Sequence, residues 1–469
     1  MKRLLIFAPR LIYLGCLVMA CPLLAMEPID IGSRRELFVD DFLIEKLRDT
    51  ELKLHNPEPR EVVLVCNQPW EGNTSFYFLT FQDGGLFRMY YRGSHFDESS
   101  KSDGHEEVTC YAESKDGITW SRPKLGLHEF AGSKDNNIIW RGWGAHNFTP
   151  FKDTNPACAP DARYKALVRA KTNVDGKEQP CVHACKSADG LRWTLLTEQP
   201  VLTAGTFDSQ NLAAWDAQRG EYRAYWRAIT SKVRGNRTAT SQDFITWEQQ
   251  CDLDYDSAPV EQLYTNVIEP YFLAPHLSLG FPTRLLSKGY QTEPVFMSSR
   301  DGVAFRRWPQ AIIPTDAPED RDGNRSNFMA HGLLQLPGNP RELSVYATEA
   351  YYKGTASRLR RFAYRVDGFV SLHATAGEVL TKPVLFNGKH LELNCLTSAS
   401  GSIRVEVQDA SGQPLPGYSL ADCDPITGDD INRRVKWSTT ASLAALTGQP
   451  VRLRFVLTDA DLYALRFAD

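Results

Sequence analysis

Apolar and polar residues alternate along most of this chain, in short runs broken by Gly, Asp, Asn and Pro. "SFYFLTF", "LFRMYYRG", "RYKALVRA", "NLAAWD", "EYRAYWRA" and "ELSVYATEAYY" all read as strands with one wet and one dry face. No long amphipathic helix interrupts them, so the pattern predicts an all-β protein.

The turns between these runs repeat. "ESKDGITW" (113–120), "KSADGLRW" (186–193), "TSQDFITW" (240–247) and "SSRDGVAF" (298–305) share the plan Ser-x-Asp-(Gly)-x-x-aromatic. Ser114, Ser187, Ser241 and Ser299 are each followed two residues later by Asp116, Asp189, Asp243 and Asp301. An Asp in this position can hydrogen-bond the backbone of a tight turn, the Gly admits positive φ, and the aromatic packs on a sheet. These aspartates therefore read as fold devices like the Asp-boxes of propellers, not as catalysts. The copies lie 73, 54 and 58 residues apart, a spacing that suits four-stranded blades. Blade openings fall near residues 70, 146, 207, 264 and 327, which predicts a five-bladed β-propeller over residues 30–370. "RRELFVDDFLIE" (34–45) is expected to complete the last blade and close the ring. From residue 375 to 469 the strands "HLELNCLTS", "SIRVEVQDA", "VRLRFVLTD" and "LYALRFAD" predict a separate β-sandwich with an accessory role.

The first strand of each blade lines the channel of a propeller, so the residues just before it meet the ligand-binding face. Each opening mixes amides, His or carboxylates with aromatics: "WEGNTSF", "HNFTPFKDTNP", "FDSQNLAAW", "YTNVIEPYFLAPH" and "NFMAHGLLQL". The third is unusual in placing Asp208, Ser209, Gln210 and Asn211 in a row before an apolar strand. Glu71, Asp153 and Asp208 come from successive blades and are expected to converge on one concave site. A carboxyl pair whose environments push their pKa values apart is what glycosidic bond cleavage needs. Trp70, Trp143 and Tyr271 offer faces for sugar rings, while Asn73, His146, Asn147, Asn211, His276 and His331 offer hydrogen bonds. Arg284 suits an anionic or sulfated sugar, and Glu349 is placed to reach the channel. Each has a plainer reading as a brace or an ion pair, as in Glu349 with Arg358 or Arg360.

Five blades, a trailing sandwich and carboxylates at the early blade openings resemble the furanosidase-type glycoside hydrolases of family 32 and its relatives in families 43 and 117. The resemblance implies an Asp nucleophile or base on the first blade, a pKa-tuning Asp on the second and a Glu acid on a later one. This chain departs from each motif: "WEGN" offers Glu71 in place of Asp, "FKDTNP" only approximates Arg-Asp-Pro, and no Glu-Cys pair occurs. The "LRR…RVDGFVSL" junction also resembles that of secreted bacterial proteins grouped with family 32 by analogy.

Composition narrows the alternatives. Lys plus Arg (53) nearly balance Asp plus Glu (57), and no long basic run occurs, so nucleic acid is not an expected partner. Lys2, Arg3 and Arg10 before "LIYLGCLVMAC" read as an export signal ending near Ala25, with lipid attachment at Cys21 as an alternative; secretion or a periplasmic location follows. No later segment is long and apolar enough to span a membrane as a helix. Eight cysteines remain beyond Cys16 and Cys21, an even number suited to an oxidising compartment, and Cys395 with Cys423 is a plausible bridge. "CVHAC" (181–185) lies in an alternating strand, where structural thiols are the simpler reading than a metal site. No cofactor is expected; the charged run "EDRDGNRSN" (319–327) admits a calcium ion, although a solvated loop suffices. The expected function is cleavage of a poly- or oligosaccharide, with a non-catalytic glycan-binding propeller as the alternative.

Overall fold

The structure is a computed structural model describing residues 27–174, 176–286, 291–315, 327–438 and 442–469. The export signal, Cys16, Cys21 and the run from 319 to 326 lie outside the described residues. Among the described residues the chain is all-β, with three short 3-10 turns and no α-helix.

Five sheets form the predicted blades. The first comprises Phe76–Asp83, Leu86–Gly93, Val108–Ser114 and Ile138–Arg141, the second Thr149–Lys152, Tyr164–Val174, Lys177–Ser187 and Thr194–Leu195. The third comprises Leu212–Asp216, Glu221–Thr230, Val233–Ser241 and Glu248–Asp252, and the fourth is built around Ile268–Tyr271, Ala274–Gly280 and Thr292–Ser299. The fifth runs Phe328–Met329, Glu342–Glu349, Arg358–Arg365 and then Glu58–Val65. First strands of neighbouring blades touch around a central channel of about 790 Å³. Apolar cores sit between blades: Phe78, Met89 and Tyr91 of the first pack with Tyr346 and Leu359 of the fifth.

The ring closes, but not with the expected segment. Glu58–Val65 pairs antiparallel with Arg358–Arg365, from Arg358 opposite Val65 to Ala363 opposite Glu58. Glu36–Leu37 and Ile44–Arg48 pair instead with Val451–Ala468 and Val370–Thr381. The reason is apolar content. An outer blade strand keeps one face wet, as Glu58–Val65 does, whereas Phe38, Val39 and Leu43 are almost fully buried and demand an interior. They find it in the C-terminal sheet and at its boundary with the propeller.

That C-terminal sheet has nine strands. Three long ones, Val370–Thr381, His390–Asp409 and Val451–Ala468, carry it, and a register break between Thr397 and Ser402 lets it fold over one core containing Leu391, Val405, Phe455 and Leu462. Tyr271, on the first strand of the fourth blade, donates to Asp367 at 2.7 Å and ties the two parts together. Cys395 and Cys423 are buried there as free thiols, as are the other described cysteines Cys66, Cys110, Cys181 and Cys185, while Cys158 and Cys251 are partly exposed.

The repeated turns are built alike. In the first, the Ser114 hydroxyl accepts from Gly117 N at 2.8 Å, and Asp116 accepts from the amides of Ile118 and Thr119 at 2.8 and 2.7 Å. The same bonds recur around Ser187, Ser241 and Ser299. Each Gly carbonyl is also a dock for the blade before it. Tyr346 donates to Gly117 O at 2.6 Å, Tyr90 to Gly190 O at 3.2 Å and Tyr225 to Gly302 O at 3.1 Å. These tyrosines occupy the fifth position of the second strand of their blades. In the second blade that position holds Val168, and the turn it faces is the copy with Phe244 in place of Gly, at φ 66°. Loss of the phenol and loss of the Gly coincide.

Candidate functional site

The four polar residues of the third opening divide their work. Ser209 donates to Tyr264 O at 3.2 Å, and Gln210 reaches across the channel to Tyr77 O and Phe78 O, both at 3.3 Å. Asn211 donates to Phe207 O at 3.4 Å. Asn147, from the second blade, clasps the backbone on either side of Asp208, donating to Phe207 O at 2.7 Å and Ser209 O at 2.6 Å. Phe207 itself is held at φ 52°, a left-handed conformation that a non-Gly residue adopts at a cost of about 1–3 kcal/mol and keeps only when its surroundings over-determine it. The bracing leaves Asp208 pointing outward, its side chain 49% exposed.

Around Asp208 gather groups from the first three blades. Arg227 Nη2 lies 2.5 Å from Oδ2, while His146 Nε2 and Arg169 Nη1 lie 3.6 and 3.8 Å from Oδ1. The other face of the imidazole meets Glu107, with Nδ1 3.0 Å from both carboxylate oxygens. Arg92 Nη1 lies 3.0 Å from the same Nδ1 and 3.3 Å from Nε2, so the ring is held among Glu107, Arg92 and Asp208. Arg92 Nη1 lies 3.4 Å from Glu107, and its Nη2 donates to Thr74 O at 2.9 Å and Tyr351 Oη at 3.1 Å. Burial alone would raise the Glu107 pKa, but the hydrogen bond with His146 and the charges of Arg92, His146 and Arg169 outweigh it and hold the group below the usual carboxylate range. The Arg92 guanidinium lies 5.2 Å over Tyr77 and that of Arg227 5.1 Å over Tyr264, which anchors both cations on aromatic faces.

Arg92, Arg169 and Arg227 stand near the top of the second strands of the first, second and third blades. Their recurrence before a small residue, in "YYRG", "LVRA" and "YWRA", is a signal the sequence carries. Glu107 has no such signal, since it sits in a loop ahead of Val108–Ser114 and becomes functional only when the ring brings it to His146.

The predicted carboxylate trio does not assemble. Glu71 is fully buried away from Asp208, accepting from Tyr91 Oη at 2.5 Å and from Arg122 Nε at 2.8 Å. Asp153 follows the end of the first strand of its blade, at the opposite mouth of the ring, where it pairs with Lys165 and accepts from Tyr222 Oη at 2.7 Å. Both stand in buried ion pairs: Asp153 with Lys165 of the neighbouring strand, Glu71 with Arg122 from the segment after the first blade's turn. Other assignments also change. Trp70 donates to Asn137 at 2.7 Å and packs edge-on against Phe130, while Asn73 staples Phe96 and Gly354. Tyr271 is fully buried and His276 lies 3.4 Å from Glu36, so neither faces the Asp208 cluster. Arg284 is occupied by Glu261 and Glu293, both at 2.9 Å, and Glu349 by Arg358 and Arg360 at 2.9 and 2.8 Å. His331 lines the channel beside Glu269 rather than the Asp208 cluster. Asp208, His146, Asn147 and Asn211 remain together.

Next to this cluster opens a cavity of about 540 Å³ lined by Trp143, His146, Asn147, Arg169 and His183. Trp143 is 46% exposed and stands edge-on to Trp140. Cys181, His183 and Cys185 share one face of the strand Lys177–Ser187; both thiols are buried, Cys185 in the core between the first two blades, and His183 meets Trp143 at 5.6 Å.

No family model matches the chain, and no curated protein matches it. Among solved structures it is similar to one described as a glycoside hydrolase (12% identity over 66% of this chain and 92% of that one, TM-score 0.44). It is likewise similar to a glycosyl hydrolase from Bacteroides ovatus (15%, 67% and 94%, TM-score 0.43) and to a family 32 β-fructofuranosidase from Bombyx mori (11%, 88% and 94%, TM-score 0.41). Likeness at this level concerns architecture alone; the five-bladed ring stands on its own strand pairings, and the chemistry must come from the site. No helix among the described residues is long and apolar enough to cross a membrane.

Proposed function

We propose that the protein cleaves glycosidic bonds at the mouth of the propeller that holds Asp208. The observation that carries this reading is the pair of carboxylates, Asp208 and Glu107, on opposite sides of one imidazole at a half-open face, while Glu71, Asp153 and Glu349 are buried with cations. Asp208, its side chain half-exposed, is the carboxylate that can approach an anomeric carbon or the water attacking it. His146, seated between Glu107 and Asp208, is the group that can carry a proton to or from the leaving oxygen. Arg92 and Arg227, fixed on Tyr77 and Tyr264, hold the two carboxylates in place.

The test is reducing-end release by the purified protein from a polysaccharide panel, repeated with Asp208→Asn. Loss of turnover with retained sugar binding supports the enzyme. A second reading, a non-catalytic glycan-binding propeller, is favoured by the arginine already seated on Asp208; it is upheld if the wild-type chain binds oligosaccharides and releases no new ends.

A further inference from the structure

Three arginines face two carboxylates at this site, and the cations are not equally engaged. Arg92 is tied to Thr74, Tyr351 and Glu107, and Arg227 to Asp208 and Tyr264. The Arg169 side chain makes no hydrogen bond to any described residue. Its nearest carboxylate oxygen is 3.8 Å away on Asp208, which Arg227 already holds; its Nε is buried without a partner, as are those of Arg92 and Arg227, but its Nη groups, unlike theirs, are also without a hydrogen bond. Its side chain is 32% exposed and lines the 540 Å³ cavity. The lysine of that wall, Lys171, is paired with Glu178 at 2.8 Å, and among the described residues no Asp or Glu lines the cavity. A guanidinium with free donors in a half-enclosed cavity is a receptor for an anion, and a planar fork suits a carboxylate or a sulfate. Trp143 exposes an indole on the same cavity, the surface a sugar ring needs for stacking.

We propose that this cavity is a subsite for an anionic sugar, whose carboxylate or sulfate is received by Arg169 while its ring lies on Trp143. The inference rests on the glycan-cleaving reading and adds the substrate class: an acidic saccharide whose charged residue sits next to the bond presented to Asp208. Arg284, which the sequence offered for this task, is occupied by two glutamates, and Arg169 takes its place.

Binding is measured by calorimetry with the full mature chain, using matched oligosaccharides that carry a uronate, a sulfate ester or neither. The expected result is preference for one of the charged probes over the neutral one, with the favoured probe telling uronate from sulfate. Arg169→Met weakens that binding by about tenfold to a hundredfold, the scale of a charge-assisted hydrogen bond, and leaves the neutral probe unchanged. If the variant fails to fold, the salt dependence of wild-type binding decides, since pairing with an anion weakens as sodium chloride rises. Equal or stronger binding of the neutral probe, no binding of any probe, or salt-independent binding overturns the proposal. Reducing-end release is scored separately, so the hydrolase reading can fail while anion binding stands, or the reverse.

Discussion

The two mouths of the ring carry similar residues and use them differently. At the strand starts, Asp208 meets Arg227, Arg169 and His146 and stays 49% exposed. At the strand ends, Asp153 meets Lys165 and Tyr222, its side chain fully buried, beside the docked turns of the repeat. Both are aspartates next to a first strand, and both sit beside a cation. What separates them is geometry: the antiparallel blade carries arginines of the second strand to one mouth, and the tight turns with their tyrosine docks to the other. An aspartate among fixed, half-wet cations is available to a ligand, and one sealed with a single lysine is cement.

The sharpest way to break this contrast is to neutralise both. Asp208→Asn is expected to lower turnover about a thousandfold, within the range of a lost proton-transfer or charged group, with little change in melting temperature. Asp153→Asn should do the opposite, costing about 3–5 kcal/mol of stability by leaving Lys165 buried and unpaired, as read by denaturant unfolding. Burial alone would lower the Lys165 pKa, but Asp153 and Tyr222 raise it, so the loss of its partner falls on a charged group. If the two variants behave alike, the distinction between the mouths fails.

A smaller effect tests the channel between them. Burial pushes Glu269 up to about 8, against the amides of Gly332 and Leu333, and pushes His331 down to about 4, against a hydrogen bond with the Ile268 backbone. A carboxyl with a raised folded pKa loses stabilisation as pH climbs from its unfolded value, about 4.3, toward 8; a histidine with a lowered one loses it as pH falls from about 6.5 toward 4. The two slopes offset each other between the unfolded values, and above them only that of Glu269 remains. Stability should therefore decline from about pH 6.5 to 8, and Glu269→Gln should raise the melting temperature at pH 9 by roughly 2–4 °C while changing little at pH 5.

The smallest effect belongs to the docked turns. Tyr346→Phe deletes the 2.6 Å bond to Gly117 O and should cost about 1 kcal/mol, and Tyr90→Phe, with a 3.2 Å bond to Gly190 O, should cost less. Chemical denaturation of the two variants checks the order. Equal costs would mean that ring packing, not the phenol, ties the blades.

The repeat was readable because local bonds build it: Ser, Asp and Gly within a few residues dictate the turn wherever it sits, and alternating runs between turns dictate strands. Blade number and the place of each opening followed from that periodicity. The closing strand did not, because Glu58–Val65 and residues 34–45 both alternate, and only the demand of Phe38 and Leu43 for an interior separates them. At the site, Asp208, His146 and Asn147 were visible from their position at blade openings. Glu107 was not, since nothing local marks a loop glutamate that meets a histidine 39 residues away.

Sequence alone thus determined the secondary structure, the turns and the count of blades, all of which depend on neighbours in the chain. Tertiary structure decided which acids are sealed and which are open. Burial and the distance to a cation are set by the closing of the ring and by residues contributed from several blades, so two aspartates with similar local contexts can end in opposite roles.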